Sequence, residues 1–284
     1  MKRARFIAAT ALVLSVLVFS LSVPAHDSSA RSAYLGFDRN DYPGDQNLKA
    51  LRQTFSYSGY WLNNPPGATR NTWSGKRQAL AAEGFGFLVL FNGRLYAELK
   101  KVPSAAALGK SDALAAATSA KKEGFARATI IFLDQEQGGR LLPEQRAYLH
   151  AWVDGVNAAG FRAGVYCSGI AFQEDKNNVV ITAEDIRKNA GGRNIVYWVT
   201  NDACPPSPGC EFRNPPPPAH SGVPFATVWQ FAQSPKRPEV AGRCPANYHR
   251  DGNCYPPGAD PALRLHVDVN SATTDDPSGG RGLQ

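Results

Sequence analysis

The sequence of 284 residues has few charged side chains and no stripe of lysine or arginine. Charged residues make up 19% of the chain, against 43% hydrophobic and 10% aromatic residues. This composition excludes a wholly disordered chain. The formal net charge is +7, but Lys2, Arg3 and Arg5 supply three of those charges at the extreme N-terminus, which leaves an excess of four elsewhere. So small and dispersed an excess argues against nucleic acid as a partner.

Several motifs that mark common enzyme and metal sites are also missing. The sequence has no Gly-x-Ser-x-Gly elbow, and the pairs Gly138-Gly139 and Gly191-Gly192 lack the surrounding pattern of a phosphate-binding loop. Neither a Cys-x-x-Cys pair nor a nearby pair of histidines occurs, so no zinc site is expected. We therefore expect no metal and no other cofactor; a divalent cation held by carboxylate oxygens is the alternative.

A secretion signal is predicted at the N-terminus. Basic residues from Lys2 to Arg5 precede an apolar run over residues 6–23, and small residues follow in Val23-Pro24-Ala25. Cleavage after Ala25 would leave residues 26–32 as a short linker; an uncleaved membrane anchor is the alternative. There is no twin-arginine pair. We expect a secreted monomer, extracellular or in the cell envelope, with no stable membrane insertion after cleavage.

Five cysteines suit an oxidising compartment. Cys204 and Cys210 bracket Pro-Pro-Ser-Pro-Gly, and Cys244 and Cys254 bracket another polar segment. This spacing suggests two short-loop disulfides, although crossed pairings among the four remain open. Cys167 lies in a strand-like run and is expected to pack as a small buried apolar residue.

Short β-like runs alternate with helix-like stretches, which is typical of a parallel sheet with crossover helices. The eight predicted strands are Tyr34 to Asp38, Ser58 to Asn63, Phe85 to Phe91, Thr129 to Glu136, Arg162 to Ser168, Asn194 to Asn201, Ala226 to Ala232 and Leu263 to Asn270. Predicted helices include Leu48 to Thr54, Gly75 to Glu83, Ser111 to Glu123, Pro143 to Ala159 and Thr182 to Asn189.

Eight strands indicate one α/β domain over residues 33–272, a (β/α)8 TIM-like barrel. The crossovers after strands six and seven are rich in proline, glycine and cysteine. They are predicted to be loop insertions on the functional rim, each held by a disulfide. Residues 273–284 are predicted to form a disordered tail.

Four carboxylates are predicted to meet at the mouth of this barrel. Asp134 and Glu136 lie two residues apart on strand four and share a face. Asp38 ends strand one, and Asp268 lies near the end of strand eight, its neighbour in a closed barrel. Crowded carboxyl groups raise one another's pKa, so one stays protonated beside an ionised one. A protonated carboxyl beside an ionised one can catalyse the cleavage of a glycosidic bond. The structural alternative is that these residues cap the helices that follow the strands.

Aromatic and amide side chains near strand ends extend the predicted site. Rings with a polar handle suit the apolar faces of sugars, and amides can bind hydroxyl or acetamido groups. Gln230 would point inward if its neighbour Trp229 points outward. The candidate substrate contacts are Asn63, Trp61, Tyr197, Trp198, Asp202, Trp229, Gln230 and Asn270, with Tyr60 and Trp73 as further aromatics near strand ends.

The order of these motifs resembles a known family. Gly36-Phe37-Asp38, Tyr60-Trp61-Leu62, Asp134-Gln135-Glu136, Gly164-Val165-Tyr166, Tyr197-Trp198-Val199, Trp229-Gln230 and Val267-Asp268-Val269-Asn270 resemble the glycoside hydrolase family 25 lysozymes. Gly36-Phe37-Asp38-Arg39 and the following Tyr-Pro-Gly are more similar to the glycoside-hydrolase-like domain of unknown function family 1906, of the Rv2525c-like type.

The resemblance to these lysozymes implies muramidase-like roles for the four carboxylates. Glu136 would be the proton donor, and Asp134 its partner or the group that orients a substrate acetamido group. Asp38 and Asp268 would stabilise charge or activate water. The expected function is hydrolysis of cell-wall peptidoglycan or a related glycan. The alternative is a catalytically inactive barrel that binds glycans or acts in the cell envelope.

Overall fold

The structure is a computed structural model that describes residues 33–258 and 261–282. The predicted signal peptide and the linker at residues 26–32 lie outside the described residues. No helix in the described ranges combines the length and the apolar character needed to cross a membrane.

Eight strands close into a barrel, as the sequence predicts. The ten strands of the described residues are β1 (Tyr34–Asp38), β2 (Tyr57–Trp61), β3 (Gly86–Asn92), β4 (Ile130–Asp134), β5 (Arg162–Ser168), β6 (Ala171–Gln173), β7 (Val179–Ile181), β8 (Val196–Thr200), β9 (Val228–Ala232) and β10 (Asp268–Ala272). The order around the closed barrel is β1-β10-β9-β8-β5-β4-β3-β2, and β6 and β7 form a separate hairpin.

Helices cover the outside of the barrel between most of its strands. They are α1 (Asp45–Thr54), α2 (Arg77–Ala82), α3 (Tyr96–Leu99), α4 (Ala105–Lys122), α5 (Pro143–Ala158), α6 (Thr182–Lys188) and α7 (Pro238–Ala241), with 3-10 turns at Pro218–Ser221 and Pro261–Leu263. The two longest helices, α4 and α5, pack tightly on one another. A Cβ at Gly109 would lie 2.4 Å from the carbonyl oxygen of Tyr148, so the small residue sets how closely the helices approach.

In a true (β/α)8 barrel all eight strands are parallel, but the last barrel strand of this structure runs in the opposite direction. β10 is antiparallel to both of its neighbours, β1 and β9. A parallel strand would require a crossover that returns the chain to the far end of the barrel. Between β9 and β10, residues 233–258 and 261–267 contain only the four-residue helix α7 and a short 3-10 turn. The chain therefore stays at the mouth and enters β10 from there, with Asp268 as the first residue.

Glycines inside the barrel make room for large side chains and for a carboxylate. A Cβ at Gly36 would lie 2.2 Å from the ring of Tyr57, which is fully buried. A Cβ at Gly59 would lie 2.8 Å from Cβ of Asp38. The glycine on β2 therefore leaves the space in which the Asp38 side chain points into the barrel.

The described part of the C-terminal tail differs from the disorder predicted for it. Ser278 is 1% exposed, and its Oγ and carbonyl oxygen accept hydrogen bonds from the backbone N–H groups of Val89 and Ile130, each at 2.8 Å. Asp276 accepts from the N–H of Phe87 at 2.8 Å. The segment therefore pairs with strand N–H groups at the end of the barrel opposite the mouth. The same aspartate and serine residues that suggest disorder are the acceptors that hold it there.

The disulfides join the two inserted loops to one another. Cys204 bonds to Cys244 and Cys210 to Cys254, with Cα–Cα distances of 4.8 and 5.5 Å. The short-loop pairing is therefore wrong, and the crossed pairing is found. The loops after β8 and β9 leave adjacent strands at the same rim, which brings cysteines 40 and 44 residues apart into contact. Cys167 is buried and unpaired, as expected.

Candidate active site

A cleft of about 380 Å³ opens at the barrel mouth. The four predicted carboxylates all line it, because β1 and β4 end there and the antiparallel β10 begins there. Its lining residues are Asp38, Asn40, Trp61, Pro66, Leu90, Asp134, Glu136, Tyr166, Trp198, Gln230, Gln233, Ser234, Pro235, Arg237 and Asp268.

Asp38 lies at the buried end of the cleft and is held by two amides. The Nδ2 group of Asn270 donates to its Oδ1 at 2.7 Å, and Nε2 of Gln230 donates to the same atom at 3.0 Å. Burial raises the pKa of Asp38 to about 6 although both amides lower it, and the charge of Glu136 raises it further. A carboxyl with this pKa changes protonation in the physiological range.

Asp134 and Glu136 lie close enough at the mouth to affect one another's pKa. Asp134 is 5% exposed, and its pKa is raised well above the ordinary value by burial first and then by the charge of Glu136. Glu136 follows β4 in the loop and is exposed at the mouth. Desolvation also raises its pKa, whereas the hydrogen bond from Asp134 and the charge of Arg237 lower it. Both carboxyl groups therefore favour the neutral form more than an isolated carboxyl does, and Glu136 is the one that faces the cleft.

Asp268 is half-buried beside Asp38. Its Oδ1 accepts a hydrogen bond from the backbone N–H of Ser234 at 2.7 Å, and its Oδ2 lies 3.4 Å from Nε2 of Gln230. Burial raises its pKa well above the ordinary value, and the charge of Asp38 adds to the rise. Close carboxyl groups cannot all ionise cheaply, so each of them favours the neutral form of its neighbours.

Two predicted aromatic residues and two predicted amides belong to this site. Trp61 and Trp198 line the cleft. The indole N–H of Trp198 donates to Oδ1 of Asn270 at 3.0 Å, which orients the Asn270 amide so that its Nδ2 points at Asp38. Gln230 also points inward and lines the cleft, as its alternation with Trp229 predicts.

Other predicted contacts lie outside the cleft or are used within the fold. Tyr197 and Trp229 point outward from the barrel and pack against Phe225 and Phe231. Asn63 uses both ends of its amide to bind the backbone of Asn92, at 2.7 and 3.0 Å, beside a neighbouring groove. Tyr60 bonds to Glu123, and Trp73 donates to the carbonyl of Asn40, so neither ring lines the cleft.

Asp202 is buried at 2% exposure and does not line the cleft. It pairs with Arg237, whose Nε lies 2.9 Å from its Oδ2. Arg237 does line the cleft, and its positive charge acts on Glu136. Asp202 thus acts on the site by holding Arg237 in position.

Sequence reasoning missed Tyr166 and Arg237 as residues of the site. Tyr166 pairs in register with Asp134 and donates its hydroxyl to Oε1 of Gln230 at 2.8 Å. The alternation of β5 would identify it as inward-facing. Arg237 lies in an irregular loop that the disulfides fix, and no periodic pattern marks it.

Arg140 pairs with carboxylates other than Glu136. Its guanidinium pairs with Glu174 at 3.0 Å and lies 3.6 Å from Asp185. Among the described residues Glu136 has no ion pair with Arg140 or Arg39. An ion pair would hold Glu136 ionised and would be incompatible with acid catalysis.

The polar groups around Asp38 are arranged for hydrogen bonding rather than for binding a metal cation. Asn270 and Gln230 both present N–H groups to Asp38, where a cation would require free oxygen lone pairs. In the described ranges, no group of three or more His, Cys, Asp and Glu side chains is arranged to hold a metal ion.

Comparison with known proteins supports this architecture. No curated protein matches the chain. Among solved structures, an uncharacterised protein of B. stearothermophilus has a TM-score of 0.50 at 19% identity, covering 84% of this chain and 95% of that one. The Tat-secreted protein Rv2525c of Mycobacterium tuberculosis, in complex with HEPES, has a TM-score of 0.50 at 13% identity, covering 87% and 97%. At these identities both show a shared fold. The sequence profile described as "Rv2525c-like, glycoside hydrolase-like domain" matches residues 56–206, more than half of the chain, and the protein therefore belongs to that family.

Proposed function

We propose that this protein hydrolyses glycosidic bonds by carboxylate general acid and base catalysis. The observation that carries the proposal is the convergence of four carboxyl groups on one open cleft, with the buried Asp134 behind the exposed Glu136. Cleavage of a glycosidic bond requires a proton for the leaving oxygen and a negative charge near the developing oxocarbenium centre. The cleft offers both.

Glu136 is the group that delivers the proton to the leaving oxygen. It is exposed at the mouth, whereas Asp134 is buried behind it. Asp134 is its partner, or binds the acetamido group of a substrate sugar. Oδ1 of Asp134 is buried without a hydrogen-bond partner among the described residues, so it can accept an N–H from a bound ligand.

Asp38 and Asp268 lie across the cleft on neighbouring strands, where they face the sugar carbon that becomes positively charged during the reaction. In the ionised form, either can stabilise an oxocarbenium-like centre or activate water. The amides of Gln230 and Asn270 favour the ionised form of Asp38. Trp61 and Trp198 contribute aromatic surface for a sugar ring.

The proposed substrate is cell-wall peptidoglycan or a related glycan, outside the cytoplasm. The substrate follows from the resemblance of the motifs at Asp38, Asp134, Glu136 and Asp268 to the family 25 lysozymes. The compartment is supported by the two disulfides, which persist in oxidising environments.

The test is reducing-sugar release from peptidoglycan and from a panel of other polysaccharides. We expect release by the wild-type protein and a loss of about a hundredfold or more in Glu136→Gln, since general acid–base catalysis contributes on that order. The matched control is Glu174→Gln, which removes the charge of a glutamate paired with Arg140 and should leave the rate unchanged.

Two other outcomes distinguish the alternative function. If the wild-type protein releases no sugar from any glycan but both it and Glu136→Gln bind cell-wall sacculi saturably, the barrel is a binding protein. If Glu136→Gln keeps the wild-type rate, the assignment of Glu136 as the acid is wrong.

A further inference from the structure

A second cavity lies at the end of the barrel opposite the mouth. It has a volume of about 590 Å³ and is formed where α6 ends and β8 begins. It is lined by Arg187, Lys188, residues 190–195, Tyr197 and Phe225. None of the carboxylates of the candidate active site contributes to it, so we call it the flank pocket.

The flank pocket is lined by cations and by no acids of the described chain. The three charged lining residues are Arg187, Lys188 and Arg193. Arg193 is neutralised by Asp154, with an N–O distance of 2.8 Å. Arg187 and Lys188 are exposed and form no ion pair with any described residue. Two positive charges therefore remain available to a ligand in this pocket.

Tyr197 adds a polar group that the fold leaves unused. The residue is 6% exposed and lines the flank pocket, and its hydroxyl forms no hydrogen bond with any described residue. The hydroxyl is therefore available to hydrogen-bond a ligand in this pocket. Its ring packs against Phe225 with a centroid distance of 4.8 Å, and the guanidinium of Arg187 lies 4.2 Å above the Phe225 ring. Aromatic surface, a hydroxyl and two cations thus converge in one cavity.

The glycine pair at 191 and 192 keeps the flank pocket open. Gly191 and Gly192 have φ angles of +61° and +79°, a backbone region that favours glycine. A Cβ added at Gly192 would meet nothing within 4 Å. The turn therefore borders the cavity without a side chain that fills it, and its backbone lies beside the cationic residues.

We propose that the flank pocket binds a sugar unit that carries one anionic group, a phosphate or a carboxylate. Guanidinium and ammonium groups recognise both anions. Tyr197 and Phe225 supply the aromatic surface and hydroxyl that suit a sugar ring. The volume lies in the range of small-molecule sites and exceeds the need of a bare ion. Such a site would let the protein hold a charged glycan at one end while the mouth acts at the other.

The test is an NMR titration of the full-length protein with glucose 6-phosphate, glucuronic acid, glucose and inorganic phosphate. Saturable shifts of the Gly191, Gly192 and Arg193 amides are expected with one or both charged sugars and not with glucose. The charged sugar that binds more tightly shows whether the preferred anionic group is a phosphate or a carboxylate. Absence of these shifts with both would overturn the proposal, and equal affinity for inorganic phosphate would overturn the assignment to a sugar.

Variants distinguish binding in the flank pocket from general attraction to positive surface charge. Arg187→Gln with Lys188→Gln should weaken binding by about tenfold or more, and Tyr197→Phe by about threefold, because each removes a ligand partner. Lys121→Gln with Lys122→Gln is the matched control, since it removes two exposed cations from the end of α4. An equal loss in the control pair contradicts the proposal. Glu136→Gln should bind like wild type, so failure of the proposed hydrolysis leaves this test intact.

Discussion

Asp38 and Asp268 occupy paired positions on the antiparallel strands β1 and β10, and the Gln230 amide lies within reach of both carboxyl groups. This pairing exists because β10 begins at the mouth. A parallel strand eight would also have placed Asp268 near the mouth. In that case Asp268 would lie near the end of the strand, whereas it is the first residue of β10. The sequence analysis therefore located the residue correctly from a wrong strand direction.

The Asn270 amide tunes the protonation of Asp38. In Asn270→Ala the 2.7 Å hydrogen bond to Oδ1 is lost, and the pKa of Asp38 should rise above its value of about 6, because that bond favours the ionised form. The measurement is a ¹³C NMR titration of the Asp38 carboxyl carbon. Ser271→Ala, on the same strand but without a hydrogen bond to Asp38, is the control and should leave the pKa unchanged. A lowered pKa in Asn270→Ala would contradict the assignment.

The buried carboxyl groups should make the fold more stable in mild acid. The pKa of Asp38 rises from 3.8 to about 6 on folding, so the native state binds more protons between these values. The free energy of unfolding should therefore fall as the pH rises from about 4 through 6, by on the order of 3 kcal/mol from this group alone. Asp134 and Asp268 act in the same direction.

Urea denaturation between pH 4 and 7.5 measures this dependence, with Asp38→Asn as the comparison. The variant keeps the shape of the side chain and should show a flatter profile, because one titrating group has been removed. If wild-type stability rose steadily over the same interval, the raised pKa values would be wrong.

The disulfides should connect the two loops at the mouth. Peptide mapping without reduction should recover Cys204 linked to Cys244 and Cys210 linked to Cys254. Removing the second bridge in Cys210→Ala with Cys254→Ala should lower the free energy of unfolding by about 2–4 kcal/mol, since it closes a loop of more than forty residues. Recovery of a Cys204–Cys210 peptide would contradict this connectivity.

The C-terminal segment should contribute to stability. Asp276→Ala removes the acceptor of the Phe87 N–H group and should cost about 1–3 kcal/mol, the usual penalty for an unsatisfied buried donor. Thr274→Ala, which changes an exposed residue in the same segment, should stay within about 0.5 kcal/mol. Urea denaturation of both variants tests this; equal stability would mean that the segment is not held as described.

Local patterns predict the elements that one stretch of chain specifies. β1 and β5 have the predicted bounds, Tyr34–Asp38 and Arg162–Ser168, because a compact apolar run ends at a polar residue in both. Helix α4 begins at Ala105 where Ser111 was predicted, since its alanine-rich first turns carry little amphipathic signal. Alternation on β9 separates Gln230 from Trp229, but alternation alone does not say whether Tyr197 or Trp198 of β8 points into the barrel.

The sequence by itself predicted the eight barrel strands and their order along the chain, the barrel and the four carboxylates at its mouth, but not the short β6–β7 hairpin. Residue periodicity and the placement of charge at strand ends are local properties of the chain. The tertiary structure decided the direction of β10, the crossed disulfides, the packed C-terminal segment and the position of Arg237 in the cleft. Each of these depends on contacts between segments that are far apart in the chain, such as Cys204 with Cys244 or Ser278 with Val89. Closure of the barrel brings these segments together, and no local pattern encodes that proximity.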